Sequence, residues 1–245
     1  MTRLLTLNIH GGLGQQLRPL TALVQACDAD ILCLQECHPA VMQWLQRALP
    51  DASGRGWTAA YAPASYLGNA VLGRFPTLRT VQHALTASER TEVRSALDVC
   101  FDHPDGPLRV VCTHLDHRSA DARMAQWTQL SQHTDAVAGG LLVGDLNALK
   151  RDDYDAATLA RVAAERAAAR WEPPGFALLD ALGAAGFVDA MAGHPPSWTS
   201  RFQTRIDYVL AAPDCPWRMV SPRTVPAIDR GVTDHNGVMV ELQHI

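Results

Sequence analysis

Short β-type runs recur along the whole chain, and several are apolar almost throughout. They fall at residues 4–9, 30–35, 69–72, 95–101, 108–114, 140–144, 205–210 and 237–242. A strand with one wet face alternates apolar and polar residues, whereas a continuous apolar run suits a strand covered on both faces. Between the runs the spacing turns helical. Leu20, Leu23, Val24 and Cys27 follow i, i+3, i+4, i+7, with Pro19 expected at the first helical position, where a missing N–H costs nothing. Residues 119–136 repeat the pattern through Met124, Trp127 and Leu130, with Ser119 as N-cap, and the Ala- and Arg-rich stretch 156–170 favours helix strongly. Strands mixed with helices over the full length imply a layered α/β domain, and the absence of linker or low-complexity tracts implies a single one over 1–245.

The chemistry-bearing residues sit where these runs stop. Asn8 ends the first, Glu36 follows the second, His114 ends Val-Val-Cys-Thr-His, and Asp145 and Asn147 close Val-Gly-Asp-Leu-Asn. Asp207 interrupts Arg-Ile-Asp-Tyr-Val-Leu, and Asp234-His235 precede the last run. A carboxylate at the end of an apolar strand is costly to bury unless it is paired or metal-bound. Polar groups gathered at strand ends line a crevice, where open α/β sheets place their ligands. Singly, each residue has a plain structural use: a helix cap for Glu36, a core histidine for His114, a solvated turn for Asp234-His235. The ordered set carries the argument.

That set resembles the endonuclease/exonuclease/phosphatase family of metal-dependent phosphoesterases. The matching stretches, in family order, are Leu-Thr-Leu-Asn-Ile-His, Ala-Asp-Ile-Leu-Cys-Leu-Gln-Glu, Gly-Asn-Ala-Val-Leu-Gly-Arg-Phe-Pro, Thr-His-Leu-Asp-His, Gly-Asp-Leu-Asn-Ala, Arg-Ile-Asp-Tyr-Val-Leu and Thr-Asp-His. The resemblance implies a DNase I-like, four-layer αββα sandwich of two mixed β-sheets flanked by helices. It also implies Glu36 as primary metal ligand, Asn8 as a second and Asp234 completing the site or holding a coordinated water, around Mg2+ or Mn2+, the hard ions that oxygen ligands favour. Asp145 would accept the proton of an attacking water and Asn147 orient that water or a phosphate oxygen. His235, oriented by Asp207, would touch the phosphate oxygens, and His114 would bind phosphate or assist the leaving group. Asn69 and Arg94 are expected near the substrate, while Arg123 and Gln126 brace the helix after Thr-His-Leu-Asp-His. Segment 150–174, with Arg151, Arg161 and Arg170, is expected as a mobile flap that sets specificity.

Composition narrows the substrate only by exclusion. Lys and Arg number 21 against 25 Asp and Glu, a net charge of −4, which disfavours a broad basic face for non-specific nucleic-acid binding. A phosphodiester or phosphomonoester of nucleic acid, nucleotide, lipid or sugar remains open, with a DNA-repair nuclease as the alternative. A non-catalytic scaffold member of the family is the reading from another class; it usually requires a missing acid or histidine, and every expected position is filled. The six cysteines include no C-x-x-C pair and read as buried reduced thiols. The first residues turn polar before a signal core would end, and no apolar run nears a membrane span, so the expected location is the cytoplasm.

Overall fold

The computed structural model of the protein describes residues 1–49, 54, 56–87, 92–132, 138–195 and 197–245. Its elements run β1 (Thr2–Gly11), α1 (Leu17–Cys27), β2 (Ile31–Cys37), α2 (Pro39–Ala48), β3 (Thr58–Ala62), β4 (Gly68–Gly73), β5 (Thr77–Leu85), β6 (Arg94–Phe101) and β7 (Leu108–His114). They continue α3 (Ala120–Gln132), β8 (Leu141–Asp145), α4 (Ala156–Ala168), α5 (Ala177–Ala184), β9 (Val188–Asp189), β10 (Asp207–Ala211), β11 (Trp217–Val225) and β12 (Gly237–His244). One sheet has the order β11-β12-β1-β2-β4-β3, the other β5-β6-β7-β8-β10-β9. Each is mixed. The only parallel pairs among the described residues are β1 with β2 and β7 with β8, one at the centre of each sheet.

The apolar runs are explained by burial on both faces. Neighbouring residues of β1 go to opposite sides: Leu5, Leu7 and Ile9 pack with Leu20, Leu23 and Val24 of α1 and Val41 and Leu45 of α2. Leu4 instead joins Cys33, Val99, Val110, Leu141 and Val209 between the two sheets. On the far side Val111 and Leu142 meet Leu130 of α3 and Leu178 and Leu182 of α5. Three apolar seams thus hold four layers, helix–sheet–sheet–helix, as the resemblance implies. Among the described residues, no helix is long and apolar enough to cross a membrane.

Local reading holds for several details and fails for others. Ser119 Oγ accepts from Ala122 N at 3.2 Å, as an N-cap does. Helix α3 is described to Gln132, and the expected continuation over 133–136 lies outside the described residues. Pro19 is the third residue of α1, not the first, but still within the turn whose N–H groups have no helical partner. The strand expected at 205–210 begins at Asp207, because Arg205 leaves the ladder to form buried ion pairs with Asp153 and Asp189. Strands β3, β5, β9 and β11 and helices α2 and α5 have no counterpart in the sequence reading.

Candidate active site

Strand register assembles half of the site. Across β6, β7, β8 and β10 the paired positions are Ser95 with His114, His114 with Asp145, and Asp145 with Asp207. Laterally paired residues present side chains on the same face, so His114, Asp145 and Asp207 form one row at the ends of adjacent strands. Gly144 makes the row possible. It holds φ +133°, and a Cβ there would lie 2.0 Å from the Thr113 carbonyl oxygen; any side chain would push β8 away from β7.

The other sheet supplies the facing half. Asn8, in the last part of β1, donates its amide to Asp145 Oδ2 at 3.0 Å and to Glu36 Oε1 at 3.3 Å, while its Oδ1 accepts from the His10 backbone N–H at 3.1 Å. Glu36 sits where β2 loses register with β4, between Leu34 and Cys37. His10, Glu36 and Asn147 all adopt left-handed backbone, φ +45°, +49° and +49°. Such conformations cost of order 1–3 kcal/mol for non-glycine residues and gather at functional sites. His10 Nδ1 lies 3.2 Å from Glu36 Oε2 and 3.9 Å from Asp234 Oδ1. Glu36 and Asp234 therefore flank one imidazole, although they are 198 positions apart in sequence.

Charge in the site is sharply divided. Asp145 is buried, and burial followed by the adjacent Asp207 carboxylate pushes its carboxyl up to about 7. Burial alone would lower His235, but Asp207 overrides it, helped by Asp145 and Asp234, and the imidazole rises to about 10. His235 Nδ1 stands 2.9 Å from Asp207 Oδ2 and its Nε2 is 3.9 Å from Asp145 Oδ2. His114, on the opposite side of Asp145 with Nε2 at 3.7 Å, is pushed well below its ordinary value by burial and then by Arg94. One imidazolium and one neutral imidazole thus flank the same carboxylate. Asn147 donates its backbone N–H to Asp145 Oδ1 at 2.9 Å and its side-chain amide to the Leu115 carbonyl at 3.1 Å.

Two groups of side chains have the chemistry of a cation site. Asp145, Asp207 and His235 offer ligand atoms all within 4.8 Å of one another, but the His235–Asp207 hydrogen bond already places a positive charge there. Asp207 Oδ1 in this group and Asp234 Oδ1 on the Glu36 side of the site are both buried without a hydrogen-bond partner. Glu36 and Asp234 offer the oxygen donors that a hard divalent cation prefers.

The site opens into a cavity of about 1290 Å³ lined by His10, Glu36, His114, Asp145, Asn147, Asp234 and His235, among others. Arg94 lines it too, its Nη1 3.3 Å from His114 Nδ1 and its Nη2 2.7 Å from His117 Nδ1. Asn69 does not: it is buried behind the cavity, with its amide bound to the Ser95 carbonyl at 2.8 Å. Arg123 and Gln126 brace the loop after β7, through the Asp116 carbonyl and N–H respectively. Segment 150–174 forms one wall and is tied down at both ends: Asp153 by Arg205, Glu172 by Arg123 and the Ala120 N–H. Of the three arginines expected to face substrate, Arg151 stacks on Phe176 and Arg161 pairs with Glu165, so only Arg170 lines the cavity. From Asp234 outward, Arg201 approaches the carboxylate at 3.7 Å and covers the Phe202 ring at 4.8 Å, and Phe202 meets Trp171 edge-on at 5.0 Å.

Several cavity residues escaped the sequence reading, among them Trp171, Arg201, Phe202 and two histidines, His10 and His117. Both histidines lay inside quoted motifs, as the last residue of Leu-Asn-Ile-His and of Thr-His-Leu-Asp-His; their signal was a second titratable group beside an assigned one.

Comparison with known proteins agrees with this geometry. Residues 5–235 match the profile of the Endonuclease/Exonuclease/phosphatase family. Solved structures with the same fold include an endonuclease/exonuclease/phosphatase from Bacteroides vulgatus, at 15% identity and TM-score 0.74, covering 100% of this chain and 99% of that one. Others are a mannosyl-6-phosphatase from Bacteroides thetaiotaomicron (15%, TM-score 0.67, 99% and 100% covered) and the human nocturnin catalytic domain with bound sulfate (17%, TM-score 0.68, 100% and 94%). A search of curated proteins finds no match to the sequence.

Proposed function

The chain belongs to the endonuclease/exonuclease/phosphatase family, and from that premise we propose that it is a divalent-metal-dependent hydrolase of phosphate esters, phosphodiesters or phosphomonoesters. The observation that carries this reading is the position of Asp145: a buried carboxylate, raised to about 7, between a cationic and a neutral histidine at the mouth of a deep cavity. A base poised near neutrality has the protonation state that general-base catalysis needs.

Glu36 and Asp234 would hold Mg2+ or Mn2+, with Asn8 fixing the Glu36 carboxylate against Asp145. The bound ion would neutralise charge on the phosphoryl group and make water a better nucleophile. Asp145 takes the proton of the attacking water. Asn147, held by its own amide to Leu115, positions that water or a phosphoryl oxygen. The His235 imidazolium donates to a non-bridging oxygen, and Asp207 keeps it protonated and aimed. His114, neutral and backed by Arg94, contacts a phosphoryl oxygen or the leaving oxygen. The wall of Arg201, Phe202 and Trp171 receives the leaving group, and the two half-exposed rings suit a group with apolar or aromatic faces. Among the similar structures one is named for a sugar phosphate and another only for its family, so fold likeness does not choose a substrate. Six free cysteines support a reducing compartment, the cytoplasm.

The test is hydrolysis of bis-p-nitrophenyl phosphate and p-nitrophenyl phosphate by the full chain, followed by abasic-DNA cleavage. Activity abolished by EDTA and restored by Mg2+ or Mn2+ supports the reading. Hydrolysis indifferent to chelation, or none on any ester, overturns it.

A further inference from the structure

We propose that Arg94, His117 and Arg118 form a second anion subsite in the cavity, filled by the Glu92 carboxylate in this structure, and that it takes a second phosphate monoester carried by the substrate. The inference rests on the phosphoesterase reading for the scissile ester alone; the anion subsite stands on its own residues.

The cluster is short of acceptors. Arg94 Nη2 lies 2.7 Å from His117 Nδ1, and Arg118 Nε donates to His117 Nε2 at 3.2 Å. Burial, and then the Arg94 charge, hold this imidazole below its ordinary value, so it is neutral and accepts at one nitrogen only. One of the two guanidinium groups therefore meets it donor to donor. Arg94 has a further donor to place: the residue is 9% exposed, and its Nε is buried without a hydrogen-bond partner. Glu92 answers part of this demand. Its Oε2 is 3.2 Å from Arg94 Nη2 and its Oε1 3.6 Å from Arg118 Nη2, so one carboxylate spans both guanidinium groups. A phosphate monoester brings about two negative charges and three acceptor oxygens to the same pair, and the arginine fork matches phosphate geometry. Glu92, Arg94, His117 and Arg118 all line the cavity.

Position ties the subsite to the reaction. Arg94 turns Nη1 to His114 Nδ1 at 3.3 Å and Nη2 to His117. The second phosphate thus sits one guanidinium away from the histidine assigned to the scissile phosphoryl group. The substrate class is a phosphate ester with a neighbouring terminal phosphate, on a nucleotide or on a sugar. The Glu92 carboxylate gives up Arg94 and Arg118 when such a substrate enters.

Calorimetric titration of the metal-free full chain with inorganic phosphate tests the subsite without any hydrolysis. Arg118→Ala should weaken binding about tenfold, the worth of one charge-assisted hydrogen bond, and Glu92→Ala should tighten it by about as much. The Arg118 side chain is mostly exposed, so its removal should leave thermal unfolding unchanged. Kinetics then test the substrate class. p-Nitrophenyl thymidine 5′-phosphate bearing a 3′-phosphate should show a KM about tenfold below that of the same ester without it, and Arg118→Ala should bring the two together. Glucose 1,6-bisphosphate against glucose 1-phosphate is the sugar arm, and the arm that shows the preference names the scaffold. Phosphate affinity indifferent to Arg118→Ala, or not tightened by Glu92→Ala, overturns the subsite, and no preference in either arm overturns the substrate class; both leave the hydrolase reading standing. Phosphate bound through Arg118 by a protein that hydrolyses no ester keeps the subsite and removes that reading.

Discussion

The Asn8 side-chain nitrogen lies 3.0 Å from Asp145 Oδ2, joining the central strands of two sheets through residues 137 apart in sequence. The same nitrogen reaches Glu36 at 3.3 Å, so one amide fixes the spacing between the acid assigned to the metal and the acid assigned to the water. Replacing it should harm catalysis more than folding. Asn8→Ala should lower kcat/KM for bis-p-nitrophenyl phosphate by about 10²-fold, a loss of about 2.7 kcal/mol in transition-state stabilisation. Asn8→Asp, which sets a third carboxylate between two others, should be worse than Asn8→Ala. Equal activity of wild type and Asn8→Asp contradicts the role.

Asp145 serves as base only when ionised, and His235 as donor only when protonated. The kcat/KM profile should therefore rise as pH passes about 7 and fall as it passes about 10. Asp207→Asn removes the carboxylate that raises His235, so the alkaline limb should move to lower pH and kcat fall roughly 10²–10⁴-fold. A profile with an unmoved alkaline limb in Asp207→Asn assigns that limb to another group.

Away from the site, Arg205 is buried between Asp153 and Asp189, with Nη2 2.6 Å from Asp189 Oδ2. Burial alone would raise the Asp189 carboxyl, but the Arg205 hydrogen bonds and charge outweigh it and hold it below the usual carboxylate range. The folded state thus binds this proton less readily than the unfolded chain. Its contribution is fully present above the unfolded value near 4 and is lost as pH falls through the lower folded one. Asp189→Asn should cost about 3–5 kcal/mol at pH 7, read by urea unfolding, with the gap to wild type shrinking below about pH 4. A gap independent of pH removes the ionic explanation.

Because the same Arg205–Asp153 pair anchors segment 150–174, deleting the segment would disturb stability, and point changes test its role more cleanly. Trp171→Ala with Phe202→Ala should raise KM for esters with aromatic leaving groups by roughly tenfold. Both kcat and Mn2+ affinity should stay within about twofold. A change confined to kcat places these rings elsewhere in the reaction.

The central fold was legible because its strands are buried on both faces and its polar residues stop them. The peripheral strands were not. β5 is an edge strand whose residues are mostly exposed, and β11, also at an edge, carries Pro222; neither presents an apolar run. The site followed the same division. Acids and amides at strand ends announced themselves, whereas His10 showed in the sequence only as a titratable group beside Asn8, and its nearness to Asp234, from the other end of the chain, exists only in the fold. Asn69 shows the converse, a polar residue in a suggestive motif whose amide serves the backbone of β6.

Glu36 and Asp145 are given separate work, one holding the ion and the other taking the proton, and parallel measurement of Mn2+ binding and ester hydrolysis separates them. Asp145→Asn should bind Mn2+ within about threefold of wild type yet lose turnover by roughly 10³-fold or more, while Glu36→Gln should lose both together. Near-wild-type hydrolysis by Asp145→Asn, or undiminished Mn2+ binding by Glu36→Gln, contradicts the account.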